Sequence, residues 1–315
     1  MRSAHPPAAY RPTDTAGTAE EATSPAGRRA AADESGRSRR LEYPPAPEPL
    51  PVPVVDNHTH LNFRDGLVEV DVRDALDAAA AVGVDRAVQV GCDLPSSRFT
   101  VQALDVDARL LGAVALHPND APRYAARGEL EAAYAEIEQL AAHPRVRAIG
   151  ETGLDYFRSK GDALTVQHES FRWHIDLAKR LGKTLQIHDR DAHEDVVRLL
   201  GEEGAPETVV FHCFSGDEDL ARTCNEHGWF MSFAGTLTFK NAENLRRALA
   251  IAEPERILVE TDSPYLTPHP YRGRPNASYM VPYTVRSMAE VLGADLAELC
   301  SRLSANTERA YGSWA

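Results

Sequence analysis

From residue 51 onward, the sequence alternates eight times between a short apolar run and an amphipathic stretch with helical spacing. The apolar runs are hydrophobic almost throughout, as expected for parallel strands that are covered on both faces. They lie at 52–58, 86–90, 110–116, 146–150, 184–188, 208–211, 229–233 and 257–259. Eight strand–helix units in about 265 residues match the size of a TIM (β/α)8 barrel, which is the fold class that we predict.

The stretches with helical spacing follow the predicted strands in order. They lie at 72–82, 97–104, 129–142, 168–181, 194–200, 218–227 and 243–251, and two further helices at 282–292 and 296–302 close the chain. A doubly wound open sheet is the main alternative to a barrel. It is disfavoured because the first strand lacks a GxGxxG turn and the chain lacks the P-loop pattern.

Residues 1–50 have a different composition, with eight prolines, clusters of small residues and no helical or strand periodicity. This composition predicts a disordered tail, followed by a single domain over residues 51–315. The tail carries seven Arg against seven Asp plus Glu, so the formal net charge of −13 belongs to the domain. Such a domain does not coat nucleic acid through a general basic surface, but it can still meet phosphate through metal ions.

The sequence offers no pattern typical of a membrane or secreted protein. No apolar run has the length of a transmembrane helix, and the N-terminus lacks the apolar segment of a secretory signal. The four cysteines are widely spaced and contain no CxxC pair, which is typical of a reducing compartment. We therefore expect a cytoplasmic protein with no membrane partner, and no pattern predicts a stable protein partner.

Histidines follow the first predicted strand, in the run DNHTH at 56–60. Because side chains alternate along a strand, His58 and His60 are expected on the same face. Two imidazoles from one strand can chelate a divalent ion. A packing or surface role is the alternative for this pair when it is considered alone.

Four other predicted strands end at one further candidate ligand each, namely Glu151, His188, His212 and Asp262. In a parallel barrel, functional groups lie where strands end and loops begin. The six nitrogen and oxygen donors suit Zn, Mn or Mg, and no cysteine falls at a matching position. Six donors exceed the needs of one ion, so they predict two sites about 3.5–4 Å apart. His58, His60 and Asp262 would form one site, His188 and His212 the other, and Glu151 would bridge them; Asp155 is expected to have a structural role.

Residues 51–315 resemble the TatD family of metal-dependent deoxyribonucleases, which are amidohydrolase-like TIM barrels. The resemblance is carried by DNHTHLNF at 56–63, LHPND at 116–120, GETGLDYFR at 150–158, QIHDRDAH at 186–193, FHCFSG at 211–216 and ETDSPYLTP at 260–268. It implies a divalent-metal hydrolase of phosphodiester bonds with 3′ to 5′ exonuclease action on DNA, and it leaves RNA open as a substrate. It also implies metal-binding roles for the six donors and contact between His117 and a substrate phosphate. Residues 1–50 have no counterpart in the family.

The expected catalytic residues are Asp262, as a general base, and Glu151, as the bridging ligand. Many amidohydrolase barrels carry a carboxylated lysine where this chain has Glu151, and none of its four lysines ends a strand at a suitable place. A barrel metallohydrolase of a small ester, amide or phosphotriester remains an alternative, as does a non-catalytic scaffold.

Arginines and aromatic residues in the predicted strand-end loops are candidate contacts for phosphates and bases. Surface ion pairing and packing are the alternative roles for all of them. The arginines are Arg158, Arg190, Arg272 and Arg274, and the aromatic residues are Tyr156, Phe157 and Tyr265.

Overall fold

The computed structural model describes residues 5–12 and 38–314, in which eight parallel strands form one sheet in sequential order. The strands are β1 (Val54–Thr59), β2 (Val84–Val90), β3 (Leu110–Val114), β4 (Val146–Asp155), β5 (Thr184–Arg190), β6 (Val209–Phe211), β7 (Phe230–Phe233) and β8 (Ile257–Val259). The first and last strands meet beyond the end of β8, where the amide of Asp262 donates to the carbonyl of His58 at 2.9 Å. This contact closes the sheet into a TIM barrel, and the predicted fold class is therefore confirmed.

The helices cover the outside of the barrel. They are α1 (Val72–Ala80), α2 (Leu94–Val106), α3 (Ala121–Ala126), α4 (Leu130–Ala141), α5 (Asp162–Leu181), α6 (His193–Glu203), α7 (Glu218–His227), α8 (Glu243–Ile251), α9 (Val281–Leu292) and α10 (Leu296–Tyr311). Every predicted helix is present. Helix α3 was not predicted, because six residues are too short to show a helical period.

Strand β4 is longer than predicted, since it continues beyond residue 150 to Asp155. The run GETGLD has no strand-like hydrophobic pattern, but it pairs with β5 as far as Asp155 and Arg190. Helix α10 likewise runs beyond residue 302, to Tyr311. Its buried face there includes the polar Asn306, which donates to the carbonyls of Pro254 and Ile257.

The interior of the barrel is packed with apolar side chains of moderate size, including Val88, Leu111, Val210, Phe230 and Leu258. A larger apolar cluster fills the space between the strands and the surrounding helices. The polar candidate residues lie above the interior packing, at the carboxyl ends of the strands. This is the end at which loop variation creates function in barrels of this class.

Two parts of the N-terminal segment pack against the barrel, which differs from the disordered tail expected from composition. Tyr10 and Tyr43 are buried, and the ring of Tyr10 lies 4.6 Å from that of Tyr43 and 5.0 Å from that of Tyr279. The amide of Leu50 donates to the carbonyl of Val82 at 3.0 Å. The proline-rich segment is thus fixed by isolated aromatic side chains and backbone hydrogen bonds, neither of which produces a period in sequence. Residues 1–4 and 13–37 lie outside the described residues, so the structure does not test the predicted disorder of these two stretches.

All four cysteines are free thiols. Within residues 5–12 and 38–314, none of the helices combines the length and apolar character needed to cross a membrane.

Candidate metal centre

The six predicted donors converge around the carboxylate of Glu151, whose two oxygen atoms face different neighbours. Its Oε1 lies 3.7 Å from His58 Nε2 and 3.5 Å from His60 Nε2. Its Oε2 lies 3.0 Å from His212 Nε2 and 3.2 Å from His188 Nδ1. A carboxylate with nitrogen donors on both oxygen atoms has the arrangement of a bridging ligand.

Asp262 completes the cluster from the loop after β8. Its Oδ1 lies 3.4 Å from His60 Nε2 and 3.8 Å from His58 Nε2, and the two Nε2 atoms lie 3.1 Å apart. The ring of His58 also stacks on that of His212, with 3.8 Å between centroids. Three overlapping groups of three side chains each place their donor atoms within 4.8 Å of one another. The groups are His58, His212 and Asp262; His58, His60 and Glu151; and His117, Glu151 and His188.

A bulge occurs in β1 at the point where it presents His58. Asp56 pairs with Ala87 and Thr59 with Gln89, so β1 has one residue more than β2 in this interval. Bulges re-aim the side chains of the strand that contains them. The result is that His58 and His60 both point into the mouth of the barrel.

A second bulge occurs in β4 at Glu151, where two glycines allow the strand to lie against β5. The pairing passes from Ile149 to Thr152 on β4 while β5 advances by only two residues. A Cβ atom at Gly150 would lie 2.6 Å from the Cβ of Gln186, and one at Gly153 would lie 2.1 Å from the carbonyl oxygen of His188. Gly153 also has φ +141°, which side chains rarely adopt. The glycines therefore bring Glu151 close to the strand that carries His188.

Hydrogen bonds to the outer nitrogen atoms orient two of the histidines, His60 and His212. His60 Nδ1 lies 2.9 Å from the carbonyl oxygen of Val90, so it carries the proton and leaves the Nε2 lone pair facing the cluster. His212 Nδ1 lies 3.0 Å from Glu260 Oε1, which also accepts the amide of Cys213 at 2.7 Å. These contacts fix the orientation of each ring, as the outer partners of ligating histidines usually do.

Two side chains near the cluster were not among the predicted site residues, Glu260 and Cys92. Glu260 lies directly after β8 and could have been considered for that reason, as the other strand-end candidates were. The thiol of Cys92 lies 3.2 Å from Glu151 Oε1. It follows the end of β2, but a single buried cysteine carries no distinguishing pattern in sequence.

The predicted structural role of Asp155 agrees with its contacts. Its carboxylate accepts the side-chain amide of Asn119 at 2.7 Å and the backbone amide of Arg158 at 2.8 Å, and it lies 3.4 Å from His188 Nε2. Asp155 therefore lies behind the ring of His188, on the side away from Glu151. Two other candidates also have structural contacts: the hydroxyl of Tyr156 bonds with His168, and Arg274 donates to the carbonyl of Tyr43.

The carboxylates and histidines perturb one another strongly. Burial alone would raise the pKa of Glu151, but His212, His117 and His188 outweigh it and hold this pKa well below its ordinary value. Burial would also raise the pKa of Asp262, but His60, followed by His212 and His58, outweighs burial and lowers it. Both carboxylates are therefore ionised at neutral pH, as metal ligands must be.

His117 lies at the edge of the cluster, 3.9 Å from Glu151 Oε2. Burial, assisted by the nearby His188, lowers its pKa to about 3, so the ring is neutral at pH 7. Its Nδ1 accepts the amide of Asn119 at 3.0 Å. A neutral ring that accepts at Nδ1 carries its proton on Nε2, and this nitrogen atom lies on the side of Glu151.

The chain is similar in sequence and in fold to known metal-dependent hydrolases. The family described as TatD related DNase matches residues 55–312. A protein from Mycobacterium tuberculosis, described as an uncharacterized metal-dependent hydrolase TatD, is 48% identical over 263 residues, which cover 82% of this chain and 98% of that protein. The metal-dependent hydrolase YabD of Bacillus subtilis is 38% identical and covers 81% of this chain and 98% of that protein. The crystal structure of the TatD homologue YjjV from Escherichia coli superposes with a TM-score of 0.75 at 24% identity, covering 82% of this chain and 98% of that one.

Proposed function

Because the chain belongs to the TatD-related DNase family of metal-dependent hydrolases, we propose that it hydrolyses phosphodiester bonds in nucleic acid, as a 3′ to 5′ exonuclease acting on DNA. The observation that carries this proposal is the carboxylate of Glu151, with nitrogen donors at both oxygen atoms. Two-metal hydrolases use such a bridge to hold two ions about 3.5–4 Å apart on a phosphoryl group.

The donor set fits two divalent ions, which we propose to be Mg, Mn or Zn. It contains imidazole nitrogen and carboxylate oxygen atoms, and the proton on His60 Nδ1 leaves its Nε2 free to bind. His58, His60 and Asp262 would hold one ion, His188 and His212 the other, and Glu151 both. When bound, such ions polarise phosphate oxygens and lower the pKa of a water molecule.

Asp262 is the residue we propose as general base. Its side chain is 15% exposed, against 6% for Glu151, so a water molecule can reach it more easily. The amide of Asp262 is bonded to the carbonyl of His58, and its backbone has φ 54°. The carboxylate is therefore held at the mouth in its ionised form, in which it can take a proton.

His117 is proposed to bind the substrate phosphate. The neutral ring presents Nε2–H beside Glu151, and a phosphate oxygen can accept this hydrogen bond. Because Nε2 carries the proton, substrate contact is favoured over a ligand role for His117.

The experiment uses single- and double-stranded DNA and RNA labelled at either end, incubated with the full chain and Mg or Mn. We expect stepwise shortening of single-stranded DNA from the 3′ end. Glu151→Ala and His188→Ala should abolish it, whereas Glu131→Ala, on the exposed face of α4, should not. Variants that digest DNA as fast as the parent would contradict the site. A parent that hydrolyses small esters or phosphotriesters but no oligonucleotide would contradict the proposed substrate.

We also propose that the protein acts in the cytoplasm. The four free thiols support this location, because disulfides are rare in reducing compartments. Fractionation of cells that produce the chain tests it, and recovery outside the cytoplasmic fraction would contradict it.

A further inference from the structure

An aromatic side chain is exposed at the mouth of the barrel. Phe157, in the loop after β4, is 53% exposed and is the most exposed of the large hydrophobic residues that the structure describes. The guanidinium of Arg190 lies over its ring, 3.8 Å from the centroid. The exposed part of the ring is therefore accessible to a ligand.

Arg190 is the last residue of β5, two residues beyond His188. Strand alternation places both side chains on the same face, with Arg190 further out by roughly 6.6 Å along the strand. Within the described part of the chain, its guanidinium forms neither an ion pair nor a hydrogen bond. By contrast, Arg180 on α5 pairs with Glu138 and Asp176. Arg190 therefore presents free donors above the metal centre.

A similar pair occurs in two other loops at the carboxyl ends of the strands. The guanidinium of Arg272, in the loop after β8, lies 4.3 Å from the ring centroid of Phe239, in the loop after β7. Phe239 lines a cavity of about 230 Å³ together with Ser215 and with Cys213, the residue after His212. The hydroxyl of Ser215 donates to the carbonyl of Asp189 at 2.8 Å, so the cavity borders the residue that precedes Arg190.

These pairs offer what a single-stranded nucleic acid requires. The net charge of −13 excludes capture by a broad basic surface, so affinity must come from a few local contacts. A guanidinium binds a phosphate with directed hydrogen bonds, and an aromatic face stacks on any base. The bases of a duplex are stacked on one another, so only an unpaired strand can use the aromatic surfaces.

We propose that the pairs Arg190–Phe157 and Arg272–Phe239 hold two nucleotides of a single-stranded nucleic acid beside the metal centre. Each guanidinium binds a backbone phosphate and each phenylalanine stacks on a base. The inference rests on the proposed nuclease function, and it gives the site a preference for single strands with little dependence on sequence.

The test measures binding without turnover. A fluorescein-labelled octathymidylate with phosphorothioate linkages is titrated with the full chain in Mg, and fluorescence anisotropy gives Kd at several salt concentrations. Phe157→Ala should weaken binding about five-fold to a hundred-fold, with an unchanged salt dependence. Arg190→Ala and Arg272→Ala should each reduce the slope of log Kd against log salt by about 0.7, the value for one phosphate contact on a single strand.

The matched controls lie at the other end of the barrel. Arg180→Ala removes an exposed arginine from the end of α5, and Val106→Ala removes an exposed apolar side chain from the end of α2. Both should bind the octathymidylate as the parent does. With cleavable single-stranded DNA, Phe157→Ala should raise KM and leave kcat nearly unchanged.

The two proposals fail in different ways. A parent that digests DNA while Phe157→Ala and Arg190→Ala bind with the parent's Kd and salt slope would overturn the two-nucleotide site alone. A parent that neither binds nor digests single-stranded nucleic acid would overturn the proposed function as well. A Kd that is weaker for Arg190→Ala with the slope unchanged would show that Arg190 only supports Phe157, and would overturn its phosphate contact.

Discussion

Replacing Glu260 with glutamine tests whether this buried carboxylate acts on a metal through His212. Glu260 is fully buried. Its Oε1 accepts one hydrogen bond from His212 Nδ1 at 3.0 Å and another from the backbone amide of Cys213 at 2.7 Å. Glutamine has nearly the same volume, and its carbonyl oxygen can accept both hydrogen bonds. The Glu260→Gln variant therefore keeps the local structure and loses only the negative charge behind the imidazole.

The size of the effect follows from the position of this charge. Partners on the outer nitrogen of a ligating histidine raise its basicity, and their loss typically weakens metal binding about 10–100-fold, or about 1.4–2.8 kcal/mol. Isothermal titration of the metal-free chain with Mn gives the affinity. Glu255→Gln is the matched control, since it removes an exposed carboxylate just before β8. Thermal unfolding in chelator verifies that both variants fold.

Equal Mn affinities for Glu260→Gln and Glu255→Gln would refute this reasoning. His212 would then not transmit the charge of Glu260 to an ion, and its assignment as a ligand would lose its structural basis. A loss of folding in chelator would instead show that the charge stabilises the barrel itself. The Glu260→Ala variant, which also leaves the amide of Cys213 unpaired, should be the less stable of the two Glu260 variants.

Two further predictions concern stability, measured by urea unfolding. Burial lowers the pKa of His174 to about 4, below its ordinary 6.5. The neutral ring therefore makes its full contribution to the free energy of unfolding above pH 6.5, and this contribution is lost as the pH falls towards 4. The stability difference between the parent and His174→Gln should therefore shrink by about 2 kcal/mol from pH 7.5 to pH 5, and a constant difference would contradict it. Arg39 and Asp65 form a buried ion pair at 2.8 Å between the N-terminal segment and the loop after β1. Arg39→Ala should cost about 3 kcal/mol because it removes the cationic partner of a buried carboxylate, and a cost below about 1 kcal/mol would show that this contact contributes little.

The sequence allowed the barrel, and the convergence of the six candidate donors, to be predicted for the same reason. Each candidate lies at or near the end of a predicted apolar run, and parallel strands bring these positions to one end of a barrel. His188 and His212 lie on adjacent strands and meet at one carboxylate oxygen, as that reasoning requires. The division of donors between two ions, and the metal itself, remain proposals.

Other features left no pattern that the sequence could reveal. Strand β4 continues through Gly150 and Gly153, where close approach to β5 replaces hydrophobic periodicity. The N-terminal segment packs through Tyr10 and Tyr43, which are isolated among prolines and small residues. Both depend on contacts with distant parts of the chain, so local propensity does not show them.

The most direct test of the central claim is a titration of the metal-free chain with Mn, followed by electron paramagnetic resonance. The signal of free Mn counts the ions taken up, and coupling between bound ions reports a shared ligand. We expect two ions per chain, coupled in the parent and not in Glu151→Gln. Uptake of one ion, or of two ions without coupling, would contradict a binuclear centre bridged by Glu151.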